Sequence, residues 1–157
     1  MSTGNFICYK VQAALKAYLQ TKTYSSIPVA QIYAGIENTT SAENEDEEEV
    51  ILLPSVVCVC QTAGVGTATT MSGSWEASAM VTVKGSAHDA TASEFEAMAQ
   101  AVFNDICTDS IATDLSSALA DFTAFLVLPT SQSWNVTGES WEASMGFTIY
   151  CCGSDIS

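Results

Sequence analysis

Apolar positions along the chain follow two periods, one near 3.6 residues and one of 2, and these divide it into elements. Residues 6–20 carry Ile7, Val11, Ala14, Leu15, Tyr18 and Leu19 at helical spacing, which predicts an amphipathic helix with one apolar stripe. Lys10 and Lys16 edge that stripe and Lys22 follows it, so most of the chain's positive charge sits on one element. Residues 27–36 alternate weakly, which predicts a strand covered on both faces, with Pro28 at its start or at a sheet edge. A break follows at 37–49. Six acids in the seven positions 43–49 repel one another and stay solvated, so this stretch reads as a flexible loop.

The run VILLPSVVCVCQT at 50–62 predicts a buried strand with a defect at Pro54, either a bulge or a strand edge. The next residues, AGVGTATTMSG, read as a loop or a long hairpin tip. At 75–84 the alternation is clean. Trp75, Ala77, Ala79, Val81 and Val83 share one face; Glu76, Ser78, Met80, Thr82 and Lys84 share the other, the pattern of an antiparallel strand wet on one side. Thr91 and Glu94 have the spacing of a capping box and open a helix over 92–107, with Phe95, Met98, Ala99, Val102, Phe103 and Ile106 as its apolar stripe. A shorter helix is predicted over 112–121, with Leu115, Ala118, Leu119 and Phe122 inward. Residues 123–128 form a strand stopped by Pro129, and 133–137 a second short one. Residues 140–152 form a long last strand, with Trp141, Ala143, Met145, Phe147, Ile149 and Cys151 on one face.

The element order predicts an α+β fold: a mostly antiparallel sheet packed on one face by two or three helices. Residues 1–157 form a single domain, with the flexible acidic loop at 37–49. So few helices leave one sheet face to meet solvent or another subunit. SWEAS occurs at 74–78 and again at 140–144, each copy opening an alternating strand. Either the two strands hold comparable places at one sheet edge or the echo is coincidence.

Charge narrows the function. The chain has 18 acidic residues, four lysines and no arginine, for a net charge of −14. An ordinary DNA or RNA binder gains its affinity from cations, so that class is nearly excluded, although an acidic chain can surround a duplex without gripping it. Acidic membrane surfaces are poor partners, and no run approaches the ~20 apolar residues of a membrane span. The first residues lack the order of a secretion signal. The sequons at Asn38 and Asn135 are therefore expected as chance matches, and the six cysteines as reduced thiols.

No constellation of catalytic residues stands above background. His88, the one histidine, lies beside Asp89 in a turn; as a general base it needs a nucleophile, and Ser86 is the nearest candidate with nothing to orient a triad. A polar turn residue is the default, and a small hydrolase using His88 is the distant alternative. Cys58 and Cys60 point the same way on a strand. With Cys151 they make a zinc site only if their strands are adjacent, since no CxxC pair or histidine partner is present, and Cys151 and Cys152 point opposite ways. The default for the thiols is core packing. The acidic run lacks the ligand alternation of a calcium loop. Gly64, Gly66 and Gly73 precede no helix and make no dinucleotide fingerprint. Glu76 and Glu142 occupy matching SWEAS positions and are paired carboxylates only if a cleft joins them. No catalytic, cofactor-binding or metal-ligating residue is assigned. The residues favour an assembly protein, with a spare sheet face and exposed tryptophan-headed strands as its contact surface.

An N-terminal helix, the strand LLPSVVCV, a strand ending VTVKG, a helix of FEAMAQAVFNDI type, a piece ending LADF and the closing run FLVLPTSQSWNVTGESWEASMGFTIYCC follow one another in that order. Over nearly the full length this layout resembles the tail-terminator, or tail-completion, proteins of long-tailed bacteriophages. The resemblance implies a non-enzymatic virion protein, assembled in the host cytoplasm and resident in the tail or neck. It implies a six-membered ring on the tail tube that stops tube polymerisation and meets a head-completion or neck protein. Six domains of this size, each about 40 Å across, leave a hole about 40 Å wide. Six copies carry a charge of roughly −84, so a negative lumen repels phosphates and lets double-stranded DNA slide through without specific binding. The last strand and the hairpin at 134–142 are then expected at the subunit or tube interface, and the acidic loop in the lumen or toward a neck protein. Another neck or tail-tube protein is the nearest alternative.

Overall fold

A computed structural model of the chain describes residues 6–35, 39–40, 50–51, 53–65, 75–118, 122–137 and 139–153. Helix α1 (Ile7–Gln20) buries Ile7, Val11, Ala14, Leu15, Tyr18 and Leu19, the stripe set by its spacing. Helix α2 (Ala92–Ile106) opens at Thr91, whose hydroxyl accepts from the Glu94 backbone while the Glu94 carboxylate accepts from the Thr91 backbone. This reciprocal cap satisfies two donors that a helix start leaves free. Phe95, Ala99, Val102, Phe103 and Ile106 are buried beneath it, with Met98 half-buried. Helix α3 (Ile111–Ala118) starts one residue earlier than the pattern suggests and buries Ile111 and Leu115; Leu119 and the Phe122 side chain lie outside the described residues.

Seven strands are described: β1 (Ile32–Ala34), β2 (Thr39–Thr40), β3 (Val50–Ile51), β4 (Ser55–Val65), β5 (Trp75–Ser86), β6 (Phe122–Thr137) and β7 (Ser140–Gly153). Five form one sheet in the order β1-β4-β5-β7-β6, antiparallel except for the parallel pair β1–β4; β2 and β3 pair separately. The fold is α+β, with three helices on one face of a mostly antiparallel sheet, as the element order predicts. The helix-facing core runs from Val56, Cys58 and Cys60 on β4 through Val81 and Val83 on β5 to Phe147 and Ile149 on β7.

Several local expectations are corrected. The strand predicted at 27–36 is a 3-10 turn, Val29–Gln31, followed by only three extended residues. Ile32 and Tyr33 are both buried, so both faces of that short strand are covered as expected. The strand predicted at 50–62 with a defect at Pro54 is two strands, β3 and β4, on either side of that proline. Strand β4 extends to Val65 and pairs antiparallel with β5 as far as Val65 opposite Trp75, so of the two readings of the glycine-rich segment the long hairpin fits; residues 66–74 lie outside the described residues. Thr39 and Thr40, placed in the acidic break, form a ladder with Val50 and Ile51; the acids at 43–49 lie outside the described residues.

Pro129 does not stop a strand. Strand β6 passes through it without a second short strand, with register shifts at Ala124/Leu126 and Pro129/Ser131. Proline is tolerated there because β6 is an outermost strand, where one side of the backbone needs no ladder partner. The SWEAS strands are not at an edge. They are β5 and β7, antiparallel partners at the centre of the sheet, with Trp75 opposite Cys151 and Trp141 opposite Gly85.

Candidate assembly surface

Because strand residues alternate between faces, burying Ala77, Ala79, Val81 and Val83 under the helices turns Ser78, Met80, Thr82 and Lys84 outward. The same alternation turns Ser144, Gly146, Thr148 and Tyr150 of β7 outward, beside Leu126 and Leu128 of β6. This open face is unequal. At its β1–β4 end Tyr33, Ser55 and Val57 are buried, and Tyr33 OH and Ser55 Oγ have no hydrogen-bond partner among the described residues. At its β6 end Leu126 and Leu128 stand 44% and 43% exposed.

A trough of about 300 Å³ lies between, lined by Thr62, Ser78, Met80, Thr130, Ser131 and their neighbours above Gly146. A Cβ on Gly146 stands 2.5 Å from Ser131 Oγ and 3.2 Å from Thr130 Oγ1, so glycine lets the irregular part of β6 settle onto β7. Thr82 Oγ1 and Ser144 Oγ are hydrogen-bonded at 2.9 Å, and Lys84 Nζ lies 3.9 Å from Glu142 Oε2. A partly exposed ion pair of that length contributes little to stability.

Strand β6 sets this surface apart. Its 16 residues contain no Asp, Glu, Lys, Arg or His, in a chain of net charge −14. Of the nine large hydrophobics exposed among the described residues, five (Phe125, Leu126, Leu128, Trp134 and Val136) lie on it. Edge strands are usually blunted by charge, proline or bulges. Strand β6 has Pro129 and two register shifts but no charge, so it presents two apolar stretches flanking an interruption.

The far end of β6 is braced by aromatics. Phe95 of α2 sits with its ring centroid 5.4 Å from Trp134 and 6.3 Å from Trp141, and Trp141 Nε1 donates to the Ala90 carbonyl at 3.1 Å. Trp75 and Trp141 are half-buried on the helix side, which corrects the expectation that the tryptophans heading the SWEAS strands are exposed; the exposed one is Trp134. Nothing in its local pattern marks Trp134 out, because its role depends on which strand β6 joins.

The candidate chemical groups do not converge. His88 Nε2 pairs with Glu139 Oε2 at 2.9 Å in the β6–β7 turn, which raises the imidazole pKa above its usual value. Ser86 Oγ accepts from the His88 backbone at 3.2 Å, so it is held by the main chain and makes no bond to the ring. Glu142 lies opposite Lys84, whereas Glu76 lies opposite Tyr150. Eight strand positions, roughly 27 Å, separate the two carboxylates, so they do not form a pair. Cys58 and Cys60 face the same way as predicted, but β5 lies between β4 and β7, and Cys151 is therefore not on an adjacent strand. Burial pushes the Cys58 thiol up to about 12 and raises the Cys60 thiol as well, which opposes the thiolate form a metal needs. Among the described residues no group of His, Cys, Asp and Glu has metal-binding geometry, and no helix is long and apolar enough to cross a membrane. Gly64 lies within strand β4, while Gly66 and Gly73 lie outside the described residues.

No protein-family model and no curated protein matches the chain.

Proposed function

We propose that this protein is a structural virion component: a homo-oligomeric ring, six-membered by the family resemblance, that caps a phage tail tube, ends its polymerisation and joins the tail to the head or neck. The observation that carries the reading is the uncharged, apolar β6 edge on a strongly acidic chain. Copies of net charge −14 repel one another wherever their surfaces are acidic. Strand β6 is where they approach without that cost, and its outer backbone edge offers hydrogen-bond groups to a neighbour. A ring needs a heterologous contact, in which β6 meets a different surface of the next copy. The net acidity supports a lumen that passes DNA without holding it.

Negative-stain images and light scattering of the purified chain, alone and with tail tubes, test the proposal. Single rings at tube ends are the expected result. Open tubes formed by the chain alone assign it instead to the tube, and monomers in both conditions overturn assembly. A Leu126→Lys/Leu128→Lys variant puts charge on the exposed part of β6 without entering the core. It keeps its circular dichroism and loses the rings; rings unchanged in that variant exclude β6 as the contact.

A further inference from the structure

The sequence treats the thiols as separate core residues, but the tertiary structure brings two of them together. Strand β1 ends at Ala34, and Gly35 N makes the last bond to β4, at Cys58 O, 2.8 Å away. The next β4 donor toward that side, Cys60 N, has no strand partner among the described residues and donates to Gln12 Oε1 of α1 at 3.2 Å. That bond fixes one turn of α1 over Cys60. Cys8 precedes Gln12 by four residues and so lies on the same helix face, one turn back. Its side chain is hydrogen-bonded to that of Cys60, whose Sγ also lies 3.6 Å from the Thr62 carbonyl. The two thiols differ in access. Cys60 is buried, while Cys8 is half-buried and lines a recess of about 140 Å³ with Phe6, Ile7, Ala63 and Trp75. That recess admits a molecule the size of a peroxide, since water takes roughly 30 Å³.

We propose that Cys8 and Cys60 are a peroxide-responsive dithiol that closes to an intramolecular disulfide, stapling α1 to β4. The Cys8 thiolate attacks one oxygen of hydrogen peroxide; the O–O bond breaks, leaving a sulfenic acid on Cys8 and hydroxide, which takes up a proton. The Cys60 sulfur then attacks the Cys8 sulfur. The S–S bond forms, and the sulfenic oxygen leaves as water with the Cys60 proton. Two thiols and one peroxide become one disulfide and two waters, with the thiols oxidised and the peroxide reduced. Burial of Cys60 keeps it protonated, so the second step quickens with rising pH. Cys58 is wholly buried, and Cys107 is exposed with its thiol donating to Met145 Sδ at 3.8 Å, so neither is assigned to the pair.

The full-length chain is titrated with hydrogen peroxide, quenched with an alkylating agent and digested without reductant for peptide mapping. The expected product is one cross-linked peptide pair joining Cys8 to Cys60, with the loss of two hydrogens from the intact monomer and an upward shift of about 5–10 °C in thermal midpoint, reversed by dithiothreitol. Cys107→Ser leaves the product intact, and Cys8→Ala abolishes it. Cys8 driven to sulfinic acid with Cys60 still alkylatable overturns the proposal. So does a dominant link to Cys151, which interacts electrostatically with Cys60, or an intermolecular link. The mapping uses the unmodified chain, so a variant that fails to fold does not decide the outcome.

Discussion

Gly85→Ala tests whether the brace beneath β6 is as tight as its geometry indicates. Gly85 lies on β5 opposite Trp141, and a Cβ there meets Phe95 Cδ1 at 2.9 Å and Cε1 at 3.1 Å. That is about 0.6 Å inside ordinary carbon contact. The ring has little room to retreat, because Phe95 is fully buried and packed against both Trp134 and Trp141. Forcing a methyl group into such a site costs about 1–3 kcal/mol. For a chain of this length the thermal midpoint falls by roughly 2–10 °C. Calorimetry or urea unfolding followed by tryptophan fluorescence measures the loss, since two of the three tryptophans belong to the cluster. Phe95→Leu shortens the ring that the methyl group meets. The cost of Gly85→Ala is therefore smaller in the Phe95→Leu background, with a coupling of about 1 kcal/mol. A neutral Gly85→Ala, or additivity of the two substitutions within about 0.5 kcal/mol, refutes the reasoning.

Thr91→Ala removes the hydroxyl that accepts from the Glu94 backbone and lowers stability by about 1 kcal/mol in chemical denaturation, whereas Thr91→Ser restores most of it. The His88 imidazole titrates in NMR above its ordinary value of 6.5, chiefly because Glu139 accepts its hydrogen bond, and Glu139→Gln brings the midpoint back down. A folded-state pKa above the unfolded one means that any stability from this pair is complete below the unfolded pKa and is lost as pH rises through the folded one. No downward movement in Glu139→Gln removes the ion pair from the account.

Helices α1 and α2, the cap at Thr91 and the inward faces of β5 and β7 follow from spacing alone. Each is a local match between side-chain period and backbone geometry, and no distant residue is needed to decide it. The unfilled sheet face follows too, since two or three amphipathic helices cover only one layer. Strand order could not be read this way. That the SWEAS strands are central partners, that Glu76 and Glu142 lie at opposite ends of them, and that β5 separates Cys60 from Cys151 all depend on pairings between distant segments. The same holds for Pro129: proline ends an inner strand but is allowed in an outer one, and only the assembled sheet makes β6 outermost. The apolar edge and the Cys8–Cys60 contact belong to this second kind of information. Neither has a local period, and each exists because burying the rest of the chain leaves those side chains side by side.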